Sequence, residues 1–199
     1  MSDRPTPVSP PLAVIGFGEV STTDPAEFSR NGPSFFADPV AWLVTAAVEQ
    51  ALGRCREDVL TVSDNIGVLV VSEVCTLETM RSIARAATRG RISPLRFAGA
   101  NPGSLASVVC IRWGFRGPTL TLSMSHAAGV EPAVIVAGSW LHSGQAGYVV
   151  LGSHYLHNGK LHIARCVIIR GTSDTDSDDA EHISSLLTQP VMTFKSPKP

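Results

Sequence analysis

The chain has 199 residues, 44% of them hydrophobic and 17% charged, with a net charge of −1. That length supports one domain with a real core, and the near-neutral balance excludes nucleic acid and anionic membranes as electrostatic partners. No apolar run approaches the ~20 residues of a membrane span.

In chain order, residues 1–11 hold four prolines and are expected to be an extended arm rather than a secretory signal, since no apolar stretch follows a basic start. LAVIGFGEVST (12–22) reads as a short apolar strand running into Gly16 and Gly18, and polar, Pro/Gly-rich residues to about 37 read as loop. Asp38 as N-cap and Pro39 at the first helical position open a helix that Gly53 stops. NIGVLVVSEVC (65–75) is a β-branched run of the kind found in strands covered on both faces. A helix over about 76–89 carries Arg81, Arg85 and Arg89 on one stripe. A loop follows, then a helix over 103–114, a strand over 118–125 and a helix over 127–143. Two strands joined at Asn158-Gly159, 146–154 and 161–171, read as a hairpin that closes the domain. From 172 to 199 an acidic, Ser/Thr-rich linker leads into a proline-containing tail. Strands alternating with helices and ending in a hairpin predict an α/β domain with a mixed sheet flanked by helices.

The cysteines, Cys55, Cys75, Cys110 and Cys166, are scattered in apolar contexts without C-x-x-C spacing, which predicts reduced thiols and a cytoplasmic setting. VIGFGEVS lacks the third glycine of a dinucleotide fingerprint. Alternation across Asn158-Gly159 brings His154 and His162 close on paired strands, while His157 sits at the turn. Surface histidines are the expected reading there, with no metal and no cofactor.

The stretch LTLSMSHAAG (120–129) is a strand-to-helix corner built of small residues, with His126 at its tip. Such a corner aims backbone N–H groups and the positive end of a helix at whatever sits before it. A thiol there would be acidified and nucleophilic; this chain offers an imidazole.

From RISPLRFAGANPGSLASVVCIRWGFRGPTLTLSMSHAAG to LHSGQAGYVVLGSHYL the sequence resembles the N-terminal half of a β-ketoacyl synthase, in the thiolase-like superfamily. Ser93-Pro94, the small residues at 99–106, WGFRGP, and Leu120, Thr121 and Ser123 match the family's motifs. LAVIGFGEVST and NIGVLVVSE match its first two core strands, so the likeness covers roughly 12–171. The resemblance implies a thiolase-like layered fold, N-terminal half only. It also implies that His126 stands where condensing members hold cysteine. The second half, which supplies the family's catalytic histidines, is not expected in this chain.

For His126 three roles stay open: general base, blocking residue, or a ring filling a relic pocket. The resemblance further implies a non-condensing, chain-length-factor-like subunit of polyketide, aryl-polyene or fatty-acid-type synthesis. Such a subunit pairs with a full-length cysteine-bearing ketosynthase, or self-associates, and meets an acyl carrier protein indirectly. Val108, Val109, Cys110 and Arg112, with Met124 at the corner, are the implied tunnel residues. Arg81, Arg85 and Arg89 are candidates for carrier-protein contact. The alternatives are a stand-alone acyl-thioester hydrolase, cyclase or decarboxylase using His126 as base, or a scaffold without chemistry. The helix over 127–143 is apolar all round, so one side is expected to lie bare unless a partner or the chain's own tail covers it.

Overall fold

The computed structural model describes residues 11–30, 36–91, 93–172, 178 and 180–189. The expected arm, apart from Pro11, and the proline-containing end of the tail lie outside them. The first strand, β1 (Leu12–Thr22), has the expected bounds and, with a shift of register between Val14 and Gly16, continues through Gly16 and Gly18. Their role is clearance. A Cβ built at Gly18 would sit 2.1 Å from the carbonyl oxygen of Ala47, and one at Gly16 would sit 2.6 Å from that of Ala51. Both carbonyls belong to α1 (Pro39–Gly53), which therefore lies with its backbone directly on the strand. Asp38 caps this helix as expected, accepting from the Val40 N–H at 2.9 Å. Its second carboxylate oxygen accepts from the Thr79 N–H at 2.8 Å, which ties the head of α1 to the next helix.

The β-branched run forms β2 (Ile66–Ser72), buried at every position. From it the chain passes into α2 (Leu77–Ala87) and then α3 (Pro94–Gly99), a short helix within the stretch expected to be loop. Pro94 starts it, with φ already set for the first helical position. After α4 (Ser104–Trp113) comes β3 (Thr119–Leu122), shorter than expected because Ser123, Met124 and Ser125 leave the ladder to make the corner. The corner opens α5 (His126–His142), and the expected hairpin is β4 (Tyr148–His157) and β5 (Leu161–Gly171). Asn158 and Gly159 hold φ of 51° and 69° at its turn, the mirror-image geometry that suits strand twist.

The described strands form one sheet in the order β1-β5-β4-β2-β3. β2 is parallel to both β3 and β4, whereas β5 is antiparallel to β4 and β1. One face packs on α1 and α4 through Leu43, Val48, Leu105 and Val109; the other packs on α5 through Val130, Ala133, Val134 and Ala137. No helix among the described residues is long and apolar enough to cross a membrane.

The stretch after 172 is more than linker. It contributes α6 (Ala180–Thr188), whose Ile183 and Leu187 are fully buried against the α5 layer. Of the two covers expected for the second side of α5, a partner or the chain's own tail, the tail supplies it. The stripe of α5 left facing solvent carries Ala128, Glu131, Pro132, Ile135, Ser139 and His142, with Ile135 its only large apolar residue. Hydrophobic residues at every angle of the sequence thus reflect two covered faces, sheet and α6, rather than a missing partner.

The close approach of α1 and β1 makes a direct prediction. Gly18→Ala should lower stability by about 2 kcal/mol through overpacking against helix backbone. Gly53→Ala, where an added Cβ meets nothing within 4 Å, should be neutral or stabilising. Urea denaturation midpoints of the two variants check this contrast.

Candidate functional site

In a sheet with a parallel core, ligands gather outside the carboxyl ends of the parallel strands. Here those ends belong to β2, β3 and β4, and the polar side chains of the interior collect beside them in two systems, one on each face.

On the α5 face, His126 is the first residue of its helix, behind Ser125. Gly129, one turn on, lets the helix descend on Val71 and Met124; a Cβ there would lie 2.5 Å from the Val71 side chain. The His126 ring stacks on Tyr155 with centroids 4.1 Å apart and planes 19° from parallel. Burial, and then the charge of Arg165, hold the imidazole below its ordinary pKa, so it is neutral at pH 7. Arg165 has a side chain only 3% exposed and pairs with Glu19 at 2.6 Å. Its guanidinium carbon lies 5.8 Å from the Tyr155 ring centre. Arg165 also donates to the backbone carbonyl of Gln189, just past α6, and Tyr155 donates to the same oxygen at 3.5 Å. The end of α6 is thereby pinned beside the corner. Among the described residues no carboxylate hydrogen-bonds to His126, so the ring lacks the orienting partner a general base uses.

On the α1 face a hydrogen-bonded chain crosses three segments. The Cys75 N–H donates to Ser72 Oγ at 2.9 Å, and Ser72 Oγ lies 2.9 Å from Nδ1 of His154. His154 Nε2 lies 3.1 Å from Nδ1 of His162. The two histidines are diagonal neighbours on one face of the hairpin, as the alternation predicts: His154 is level with Ala164, and His162 with Leu156. They are not surface residues, though. His154 is fully buried, and burial followed by the proximity of His162 pushes its pKa down to about 3. His162 is half-buried and also lowered, mainly by desolvation. His157 stays outside, beside the Asn158 amide. Cys75 adopts φ of 41°, unusual for a residue with a side chain, and its thiol donates to the Ser72 carbonyl at 3.0 Å and lies 3.3 Å from Ser123 Oγ at the corner. All four cysteines are free, and no group of three or more His, Cys, Asp or Glu among the described residues could hold a metal ion.

The other sequence-derived candidates do not meet in one cavity. Val109 is enclosed in the core, and Cys110 lies half-buried with its thiol 3.6 Å from Thr119 Oγ1. Arg112 points outward to Glu49 at 3.2 Å. Val108 lines a hollow of about 390 Å³ between α3 and α4, together with Leu95 and Ile111. Met124 stands at the corner, 39% exposed. Arg81 pairs with Glu78 at 2.5 Å, Arg85 is exposed in the last turn of α2, and Arg89, beyond the helix, shares a second hollow with Arg91 and Arg96. Tyr155, Arg165, Ser72 and Cys75 had no motif to mark them. Only the period-2 alternation of the hairpin hinted at any of this network, through the histidine pair.

The model of the β-ketoacyl synthase N-terminal domain family matches residues 13–185. No curated protein sequence matches the chain. Among solved structures, the ishigamide ketosynthase/chain length factor superposes with a TM-score of 0.64 at 13% identity, over 84% of this chain and 64% of that one. The complex AntDE:AntF, a type II polyketide synthase acyl-carrier protein with its ketosynthase bound to the hexaketide, gives 0.65 at 16%, over 81% and 63%. The ketosynthase ApeO with its chain length factor ApeC from Xenorhabdus doucetiae gives 0.61 at 12%, over 81% and 79%. The chain spans less than two thirds of the first two, and identities this low show a shared fold.

The buried histidines make stability depend on pH. The unfolded chain accepts a proton near pH 6.5 that folded His154 refuses until about pH 3, so its contribution is complete above 6.5 and is lost as pH falls. Between pH 7 and pH 5 that loss amounts to about 2 kcal/mol. His126 and His162 shift in the same direction. Urea midpoints should fall over this interval, and His154→Gln should shrink the difference between the two pH values.

Proposed function

The chain belongs to the β-ketoacyl synthase N-terminal domain family, and from that premise we propose that it is a non-condensing subunit. It pairs with a cysteine-bearing ketosynthase and helps shape the tunnel for a growing acyl chain in polyketide, aryl-polyene or fatty-acid-type synthesis. The observation that carries this reading is the corner itself. Carbon–carbon bond formation on a stored acyl group needs a thiolate to hold the acyl chain. The head of α5 presents instead a neutral imidazole stacked on Tyr155. An acyl-imidazole hydrolyses readily and would not keep its cargo. A stand-alone enzyme with His126 as base is less well supported, since no carboxylate orients the ring, and a scaffold without chemistry leaves the polar systems at the strand ends without a use.

Two surfaces support a partner. β3 ends the sheet, and its free edge, Thr119–Leu122, has no charge and no proline to deter pairing. Met124, exposed beside it, extends the same apolar surface. The basic residues Arg85, Arg89, Arg91 and Arg96 gather around α2 and α3, a surface suited to an acidic carrier protein. Val108 and Met124 are the tunnel residues this reading favours.

Co-expression with a cysteine-bearing ketosynthase should give a heterodimer by gel filtration with light scattering. Thr121→Pro should split it by removing an edge donor, while His126→Ala should leave both association and product formation intact. A monomer that hydrolyses acyl thioesters and loses that activity in His126→Ala would overturn the proposal. Arg85→Glu combined with Arg89→Glu should weaken carrier-protein binding about tenfold, in a salt-dependent way, measured by calorimetry.

A further inference from the structure

The histidine relay has an outlet that the acyl-tunnel reading does not use. His162 lines a cleft of about 390 Å³ on the α1 face, bounded by the hairpin turn, the head of α1 and the start of α2. That volume lies within the range of small-ligand sites. Its apolar walls include Val40, Val74, Leu77 and Leu156. Two cations reach it, Arg81 and Lys160, together with Glu78. Arg81 and Glu78 neutralise each other, whereas Lys160 has no ion pair among the described residues, and Asp24 and Asp38 lie within electrostatic reach of His162 without lining the cleft.

The polarity of the relay follows from counting protons. The Cys75 amide can only donate, so Ser72 Oγ accepts there and has one proton to give. A hydroxyl oxygen can accept twice, but His154 Nδ1 is the acceptor that the Ser72 hydroxyl meets among the described residues, and we assign the proton there. A neutral His154 then carries its own proton on Nε2 and donates it to Nδ1 of His162. A neutral His162 is then left with its proton on Nε2, the nitrogen not engaged by His154, and its side chain lines the cleft. Burying the His154 ring completely costs desolvation that a leucine at the same place would avoid. The left-handed backbone of Cys75 adds strain. What both secure is the orientation of one donor at the cleft wall.

We propose that this cleft binds a short aliphatic carboxylate, with the carboxylate between the Lys160 ammonium and the His162 Nε2–H and the alkyl chain among Val40, Val74, Leu77 and Leu156. A cation and a neutral donor, with no acceptor oriented by the relay, select an anion rich in oxygen acceptors. The apolar walls select a hydrocarbon body over inorganic phosphate. The site lies on the opposite face of the sheet from His126 and does not require the partner proposed above.

Calorimetric titration of the full chain with sodium octanoate and with octanamide tests this directly. Octanoate should saturate one site, and octanamide should bind at least about tenfold more weakly, as expected for loss of a charge-assisted hydrogen bond. Lys160 is exposed on the turn, so Lys160→Met should fold normally and bring octanoate down to the affinity of octanamide. Leu77→Trp should fill the cleft and abolish binding of both. His162→Phe should weaken both ligands, and octanoate should shift the His162 Nε2 resonance in ¹⁵N spectra of the wild type. Equal binding of acid and amide, wild-type affinity in Lys160→Met, binding that survives Leu77→Trp, or no saturable binding at millimolar octanoate would each overturn the proposal.

Discussion

Complete burial of β2 on both faces is the constraint from which the remaining architecture follows. A strand with no solvent-facing side needs a helical layer above and another below. α1 and α4 supply one, α5 and α6 the other. Parallel pairing of β2 with β3 and β4 then sends three strand ends to the same edge. The loops and helix starts that leave this edge are where the chain can place polar groups without breaking the ladder. Its buried polar systems are found there, Ser72 and His154 on one face and Arg165 with Tyr155 on the other.

These two systems share a physical theme, namely imidazoles kept neutral by burial. His126 is held so by desolvation and the Arg165 charge, and His154 by desolvation and its histidine neighbour. A neutral ring has one donor and one acceptor nitrogen and can relay hydrogen bonds in one direction, whereas an imidazolium has two donors and cannot. The polar groups at these strand ends are thus held in place by packing and hydrogen bonds. The chain combines membership of the β-ketoacyl synthase N-terminal domain family with a histidine at the head of α5.

α6 changes how α5 is understood. It brings Ile183 and Leu187 onto the α5 layer, and the carbonyl of Gln189 is held by Arg165 and Tyr155. The tail therefore fastens the same residues on which His126 rests, coupling the outer helix to the corner through a single oxygen. Surfaces left open among the described residues include the β3 edge, the Arg-bearing region of α2 and α3, the hollow between α3 and α4, and the cleft under the hairpin.

Local chemistry in the chain determined the elements with strong signals. The Asp38-Pro39 start, the unbroken β-branched run of β2, the Asn158-Gly159 turn and the small-residue corner at His126 each act over a few residues, so their structural consequence is legible without knowing what lies opposite. The nearness of His154 and His162 was legible for the same reason, since two-residue alternation across a tight turn fixes which side chains share a face. Tertiary structure alone decided the rest. Gly16 and Gly18 look like breakers until α1 is laid on them, and α6 is hidden in a polar stretch because only Ile183 and Leu187 declare its buried side. The Ser72–His154 bond joins residues 82 positions apart, and Cys75 meets Ser123 across 48. No local pattern encodes such meetings; they exist because β2, β3 and β4 stop at one edge, a property of strand order rather than of any short stretch of sequence.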